Sequence, residues 1–355
     1  METIKQNLGT DVDSKELKVC LNFMMADLSI KTKASRTFKN TAKGFQALQE
    51  WVDKKKIKDL PLSITMEATG VYYENVAYYF QEKKSYLVHV VLPNASNAYF
   101  KSLKLKSKTD KIDARALAQM GLERKLMPWT PVSQQMRDIK KVVRERLRLM
   151  KEKNMVTNQL HAELASYRPS SIVRKRYEKR VAFLSKQILA CEKDLKKFVD
   201  KDPDLKEKID NVCTIKGVAF ITAIGVVAEY NGFILFKNRN QVVSFAGYDV
   251  VQKESGTSIK GNERMSKKGN SFVRQMMYMG AMSAANCDPH HRAYYLRIVN
   301  KTNINMKGNV AIQRKLLLLI YTLFTRNEQY DPLHFLKVQN RLKSVETKQR
   351  ESITA

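Results

Sequence analysis

In the first third of the chain, apolar residues alternate with polar ones. Leu17, Val19, Leu21 and Phe23 occupy every second position, the period of a half-buried strand. An ITM run at 64–66 leads into Glu67, a helical stretch follows over 72–83, and LVHVVL at 87–92 is a short apolar run closed by Pro93. The last of these reads as a buried strand. Strand, hairpin partner, helix, strand, helix, strand is the rhythm of a mixed sheet covered by helices, an α/β domain.

Residues 134–200 change character: glycine is absent and proline occurs only at Pro169. Tyr177, Val181, Leu184, Ile188, Cys191, Leu195 and Phe198 step alternately by four and three, which predicts a helical hairpin or coiled coil. From 207 to 330 the pattern is helical at both ends, with a Gly- and Lys-rich loop over 253–270. DPD at 202–204 reads as a linker, FAG at 245–247 as a helix stop, and Met276, Met277, Met279 and Met282 as core. IKGVA at 215–219 reads weakly as the turn of a helix-hairpin-helix. The predicted division is 1–128 (α/β), 129–203 (helical coiled coil), 204–332 (mainly α) and 333–355 (polar tail).

Charge adds a partner to this picture. The 355 residues carry 64 Lys and Arg against 35 Asp and Glu, a formal net charge of +29. Such an excess repels itself unless a polyanion neutralises it, and nucleic acid is the first candidate because each neutralised phosphate releases counterions. A membrane surface fits less well, since the basic residues are spread along the chain instead of gathered on one amphipathic helix. The four cysteines form no CxxC pair, which argues against a zinc ribbon and suits a reducing compartment. No apolar run reaches spanning length, and the first residues carry no signal-peptide core. The expectation is a soluble cytoplasmic protein of a prokaryotic cell, nucleoid-associated when active.

Against this basic background, acidic residues at element ends stand out. Asp11 follows Gly9 and Thr10 near the end of the first strand, and Glu67 ends a later one. Asp110 and Asp113 lie three apart at the start of a helical run, on one face. Each alone could be a cap or an ion-pair partner. Together, four carboxylates repel one another unless cations neutralise them. Mg²⁺ does this with oxygen ligands while leaving positions for phosphate, and two such ions can clamp both oxygens of a phosphoryl transfer.

The second constellation is ESGTSIKG at 254–261, followed by RMSKKGN at 264–270. Ser255, Ser258 and Ser266 are candidate nucleophiles, and Lys260, Arg264, Lys267 and Lys268 offer charge to phosphates. None of the five histidines is beside this loop in sequence, and there is no G-x-S-x-G elbow, so a hydrolase triad is unsupported. A basic loop that only binds backbone remains the alternative.

Taken together these motifs resemble the DEDD-type transposases of bridge-RNA-guided insertion sequences, a family that includes the Piv-type DNA invertases. The resemblance is carried by GTD at 9–11, MEATG at 66–70, KTDKIDAR at 108–115, FAG at 245–247, ESGTS at 254–258, KKGN at 267–270 and Arg274. It implies a RuvC-like (RNase H-like) first domain and a mainly helical serine transposase domain. Asp11, Glu67, Asp110 and Asp113 would hold Mg²⁺ or Mn²⁺, and Ser255 would attack DNA to give a covalent phosphoserine. Lys108, Arg115, Lys253, Lys260, Arg264, Lys267, Lys268 and Arg274 become candidate nucleic-acid contacts. Implied partners are donor and target DNA, a structured bridge RNA, and further copies of the chain in a tetramer, a dimer of dimers with composite sites. The chain departs from the family at 216–219, where a Pro-Gly-x-Gly turn is usual, and Asn7 makes the first strand unusually polar. The competing readings are a metal-dependent nuclease or junction resolvase, an invertase without guide RNA, and a non-catalytic nucleic-acid-binding scaffold.

Overall fold

The computed structural model describes residues 2–83, 85–104, 109–251 and 264–333, together with the backbone of 254–255 and 259–260. The chain divides into two compact units, Met1–Pro131 and Val132–Ala355.

The first unit is built on five strands: β1 (Thr3–Val12), β2 (Glu16–Met25), β3 (Ile30–Lys39), β4 (Leu62–Glu67) and β5 (Tyr86–Val91). Their order in the sheet is β3-β2-β1-β4-β5. The first three form an antiparallel meander, whereas β4 and β5 run parallel to β1. Four helices accompany the sheet: α1 (Ala42–Asp53), α2 (Tyr73–Gln81), α3 (Pro93–Ser102) and α4 (Asp110–Glu123). This is a mixed α/β sheet of the RNase H-like kind that the motifs imply. Leu17, Val19 and Leu21, whose alternation signals β2, are buried together with Leu8, Leu48, Ile64 and Phe80 in one core.

β1 is covered on both faces, which explains its unexpected polarity. Gln6 points to the loop before β4, where its amide donates to the carbonyls of Ile57 and Leu60 and accepts from the Ile57 amide. Asn7 is fully buried on the other face and donates to the hydroxyls of Ser63 and Thr65 on β4. A buried amide with partners specifies the register of two strands that apolar residues would leave free to slip. Helix α4 lies on this second face with almost no space between the backbones. A β-carbon at Gly9 would sit 2.0 Å from the carbonyl oxygen of Ala114 and 2.2 Å from the amide of Ala118. Only glycine opposite alanines permits that approach.

The second unit is helical. α5 (Gln134–Ala165) and α6 (Ser171–Asp200) pack as neighbours across a five-residue turn, 166–170. Ser133 and Ser170 accept from backbone amides three residues on and cap their first turns. Along α6, Leu184, Ile188 and Leu195 are buried, while Tyr177, Val181, Cys191 and Phe198 are half-buried. The start of α5 and the end of α6 join the core of the following helices, with Ile139, Val143, Leu195 and Val199 in one cluster with residues such as Ile224 and Leu316. Those helices are α7 (Pro203–Cys213), α8 (Phe220–Glu229), α9 (Arg239–Ala246), α10 (Ser271–Cys287), α11 (Pro289–Thr302) and α12 (Asn305–Arg326).

In this unit DPD and two of the methionines differ from the sequence reading, while the turn at 215–219 falls between two helices as that reading has it. DPD at 202–204 is a helix start: Asp202 accepts from the Leu205 amide, and Pro203 occupies the first turn, where its missing N–H costs nothing. The turn between α7 and α8 places Gly217, at φ +92°, against the carbonyl of Gly280 on α10, so its glycine serves helix packing. Of the four methionines, Met276 and Met277 are buried, but Met279 and Met282 are exposed, because one face of α10 points outward.

We expect Gly9→Ala to lower stability by about 3 kcal/mol, since backbone atoms cannot yield as a side chain would. Urea unfolding followed by circular dichroism tests this, and an unchanged midpoint would contradict the packing of α4 on β1.

Candidate carboxylate site and serine hairpin

The seat of α4 on β1 brings the four predicted acids into one neighbourhood. Asp11 sits near the end of β1, and Glu67 ends the adjacent parallel strand β4. Asp110 and Asp113 occupy the first turn of α4, whose start Thr109 caps by accepting from the Ile112 amide. The pKa of Asp11 is raised to about 6, first by burial and then by the negative charges of Asp110, Asp113 and Glu67. Three carboxylates therefore act electrostatically on the fourth.

Two partners missed by sequence reasoning shape the site. Lys18, opposite Asp11 across the β1–β2 pair, forms an ion pair with Asp110. This raises the pKa of the lysine, chiefly through the hydrogen bond to Asp110. Glu67 accepts from Ser96 Oγ at 2.6 Å and from Thr69 Oγ1 at 3.1 Å. Ser96 is fully buried on α3, and its hydroxyl also reaches the carbonyls of Leu92 and Pro93. The sequence signal for Lys18 is its register with Asp11. Ser96 lies 29 residues from Glu67, and nothing local marks it.

Among the described residues, no three acidic, histidine or cysteine side chains converge tightly enough to grip one ion as they stand. Asp110 is turned to Lys18 and Glu67 to its hydroxyl donors. The donor set nonetheless suits a hard divalent cation: four carboxylates, of which Asp110, Asp113 and Glu67 act electrostatically on the partly buried Asp11.

In the second unit, the described residues between 250 and 265 form short paired strands where the sequence predicts a loop. β6 (Val250–Val251) pairs with β9 (Arg264–Met265), and β7 (Glu254–Ser255) pairs with β8 (Ile259–Lys260), both antiparallel. Ser255 lies opposite Ile259. The side chains of Ser255 and Lys260, and Lys108, Lys253 and Ser258 entirely, lie outside the described residues.

The base of this hairpin is clamped. Amides of Ser266, Lys267 and Asn270 donate to the carbonyls of Asp249, Gly247 and Phe245. Gly247 closes α9 at φ +73°, as FAG predicts, and Gly269 crosses it so closely that its β-carbon would stand 2.5 Å from the Gly247 amide. Arg274 donates through Nη1 to the carbonyls of Ala246 and Gly269, so it braces this crossing. Ser266 bonds Asp249 Oδ1 at 2.8 Å and belongs to the same brace. Arg264, Lys267 and Lys268 are exposed at the hairpin base, and Arg115 is exposed on α4.

Beneath the hairpin lies a hub that sequence reasoning also missed. Glu229 at the end of α8 has a fully buried side chain. Arg144 of α5 donates to both its oxygens at 2.6 and 2.9 Å, Asn270 donates at 2.6 Å, and Lys140 stands 3.5 Å away. Burial alone would raise its pKa, but the Arg144 hydrogen bonds, the two cations and Asn270 outweigh it and hold the carboxylate below its ordinary value. Asn270 in turn caps α10, which fixes where the hairpin re-enters the helical core.

A carboxyl whose folded pKa exceeds its unfolded one binds its proton more tightly when folded. The contribution of Asp11 to stability is therefore full below the unfolded value of 3.8 and is lost as pH rises through about 6. Without divalent ions, Asp11→Asn should raise the melting temperature at pH 7.5 and leave it nearly unchanged at pH 4. Scanning calorimetry in EDTA reads this directly, and an equal shift at both pH values would remove the repulsion argument.

Two family models match this chain. The DEDD model of the IS110 group, described as transposase, matches residues 8–169, and the transposase IS116/IS110/IS902 family model matches residues 209–296. The chain is 25% identical over 329 residues to the pilin gene-inverting protein of Moraxella bovis, covering 92% of this chain and 98% of that one. It is 22% identical over 270 residues to the transposase for insertion sequence element IS1111A of Coxiella burnetii, covering 68% of this chain and 72% of the relative. A solved T. thermophilus RuvC in complex with a Holliday junction overlaps 35% of this chain and 99% of its own at 10% identity, with a TM-score of 0.27. The sheet order, not that overlap, carries the fold. With two models of one family spanning well over half of its length, the chain is an IS110-family transposase, an enzyme that recombines DNA, related to the pilin gene-inverting protein.

Proposed function

We propose that this transposase cuts and rejoins DNA by phosphoryl transfer at a site shared between its carboxylates and Ser255. The observation that carries this reading is the placement of four acids at the ends of β1 and β4 and in the first turn of α4, where three of them act on the partly buried Asp11. Asp11, Glu67, Asp110 and Asp113 would hold Mg²⁺ or Mn²⁺. When bound, such ions neutralise phosphate oxygens and stabilise charge developing in the displacement. Lys18 balances part of the same negative charge and keeps Asp110 at the mouth of the site. Ser96 and Thr69 orient Glu67 by donating to its oxygens.

In the proposed step, Ser255 Oγ forms a bond to the scissile phosphorus while the bond to one deoxyribose oxygen breaks, leaving a phosphoserine and a free hydroxyl on the cut strand. Activation of the hydroxyl comes from the carboxylate site of the same or another subunit. The covalent bond conserves the energy of the phosphodiester, so the strand rejoins to a new end by the reverse displacement. The clamp between 245–249 and 266–270 suits this role, because it fixes where the segment that carries Ser255 leaves and rejoins the helices. Exposed Arg264, Lys267 and Lys268 beside it fit phosphate contacts. Donor and target DNA, a structured bridge RNA that pairs with both, and a tetrameric assembly complete the reading. A second reading, DNA inversion without an RNA guide, is favoured by the pilin gene-inverting relative that matches almost end to end.

Ser255→Ala should abolish a protein–DNA adduct on denaturing gels while leaving DNA binding within about twofold. An undiminished adduct would exclude Ser255 as nucleophile. Asp110→Ala should reduce Mg²⁺-dependent strand cleavage at least a hundredfold, and cleavage of equal rate in EDTA would remove the metal role.

A further inference from the structure

Outside both constellations, the second unit contains a cavity of about 750 Å³ between the start of α11, the second half of α12 and the segment that follows it. Its wall includes His291, which is fully buried. Its Nδ1 lies 3.2 Å from Oδ2 of Asp288, and its Nε2 has no hydrogen-bond partner among the described residues. Asp288 is itself fixed: it caps α11 by accepting from the amides of His290 and His291, and Tyr330 donates its hydroxyl to Oδ2 at 3.0 Å. A buried imidazole with an unsatisfied nitrogen is costly, and its presence in the wall of a roomy cavity points to a ligand group that satisfies it.

The walls define that ligand. Leu319, Leu323 and Pro332 supply apolar surface beside the Tyr330 ring. Arg239 and Arg326 stand exposed at the rim, with Lys315 deeper, above the Tyr294 ring and bonded to His290. Carboxylates of Glu328 and Asp331 share the rim, so a bare anion is a poor complement. The cavity instead matches a group with a flat apolar body, N–H donors on one edge and a negative charge on the other. Burial lowers the pKa of His291, which keeps the ring neutral at pH 7. With Nδ1–H facing Asp288, Nε2 offers a lone pair to a donor.

We infer that this cavity receives a single unstacked nucleotide of a DNA or RNA strand. The base lies against Tyr330 and the leucines with a donor edge at His291, and the phosphate meets Arg239 and Arg326. Unpaired nucleotides splayed out of a strand are read in this way, by stacking and by hydrogen bonds to their edges. The inference rests on the nucleic-acid reading of the chain but on none of the catalytic residues.

The test uses the full-length protein and two 12-residue single strands, one DNA and one RNA, carrying 5-iodouracil for ultraviolet crosslinking and peptide mapping. At least one strand should crosslink to Tyr330 or to its neighbours in 319–332. Leu319→Trp, which fills the cavity without changing charge, should cut that crosslink at least tenfold, and Arg326→Gln at the exposed rim should cut it severalfold. Duplex binding should change by less than twofold in the Leu319 variant. The stronger strand identifies the source as DNA or RNA. Duplex binding with no crosslink in this segment, or a crosslink untouched by both substitutions, overturns the inference alone. A folded protein that binds neither duplex nor single strands overturns the nucleic-acid reading beneath it.

Discussion

Everything in the first unit follows from the absence of a side chain at Gly9. Because no β-carbon separates β1 from α4, Ala114 and Ala118 rest on the strand backbone, and the first turn of α4 falls beside the end of β1. Two acids from a helix and two from parallel strands then come within electrostatic reach of Asp11. Burial and those three negative charges together raise the pKa of Asp11. Lys18 relieves part of it from the neighbouring strand, which links the antiparallel register of β1 and β2 to the chemistry of the site.

The second unit solves a different problem: supporting a hairpin of two-residue strands that has little stability of its own. Its base is held where Gly247 and Gly269 cross, with Arg274 bridging both sides and Asn270 capping α10. Glu229 draws α5, α8 and Asn270 together through a buried carboxylate bonded on both oxygens. Removing a partner of such a group leaves charge stranded in low dielectric, so the hub specifies one arrangement strongly. The residues that look like phosphate contacts in sequence therefore divide: Arg274 braces the fold, whereas Arg264, Lys267 and Lys268 remain exposed to solvent.

Polarity also has a different meaning in the two places where it first appears anomalous. Asn7 and Gln6 in the first strand satisfy neighbouring strand and loop groups, so they fix register. His291, in the second unit, approaches Asp288 through Nδ1, and its Nε2 has no hydrogen-bond partner among the described residues.

The linear pattern determined most elements of the first unit, the long helices of the second, the position of each acid at an element end, and the helix stop at Gly247, because these depend on periodicity, capping and backbone conformation within a few residues; it missed β3, a largely exposed edge strand without an apolar alternation. Family motifs in the same string marked Asp11, Glu67, Asp110, Asp113 and Ser255. Only the folded chain decided that Lys18 and Ser96 attend those acids, that Glu229 is a buried hub, that DPD starts a helix instead of linking domains, and that two of four methionines face outward. Those outcomes depend on which faces meet across tens of residues, and neither spacing nor composition carries that information until the backbone has closed.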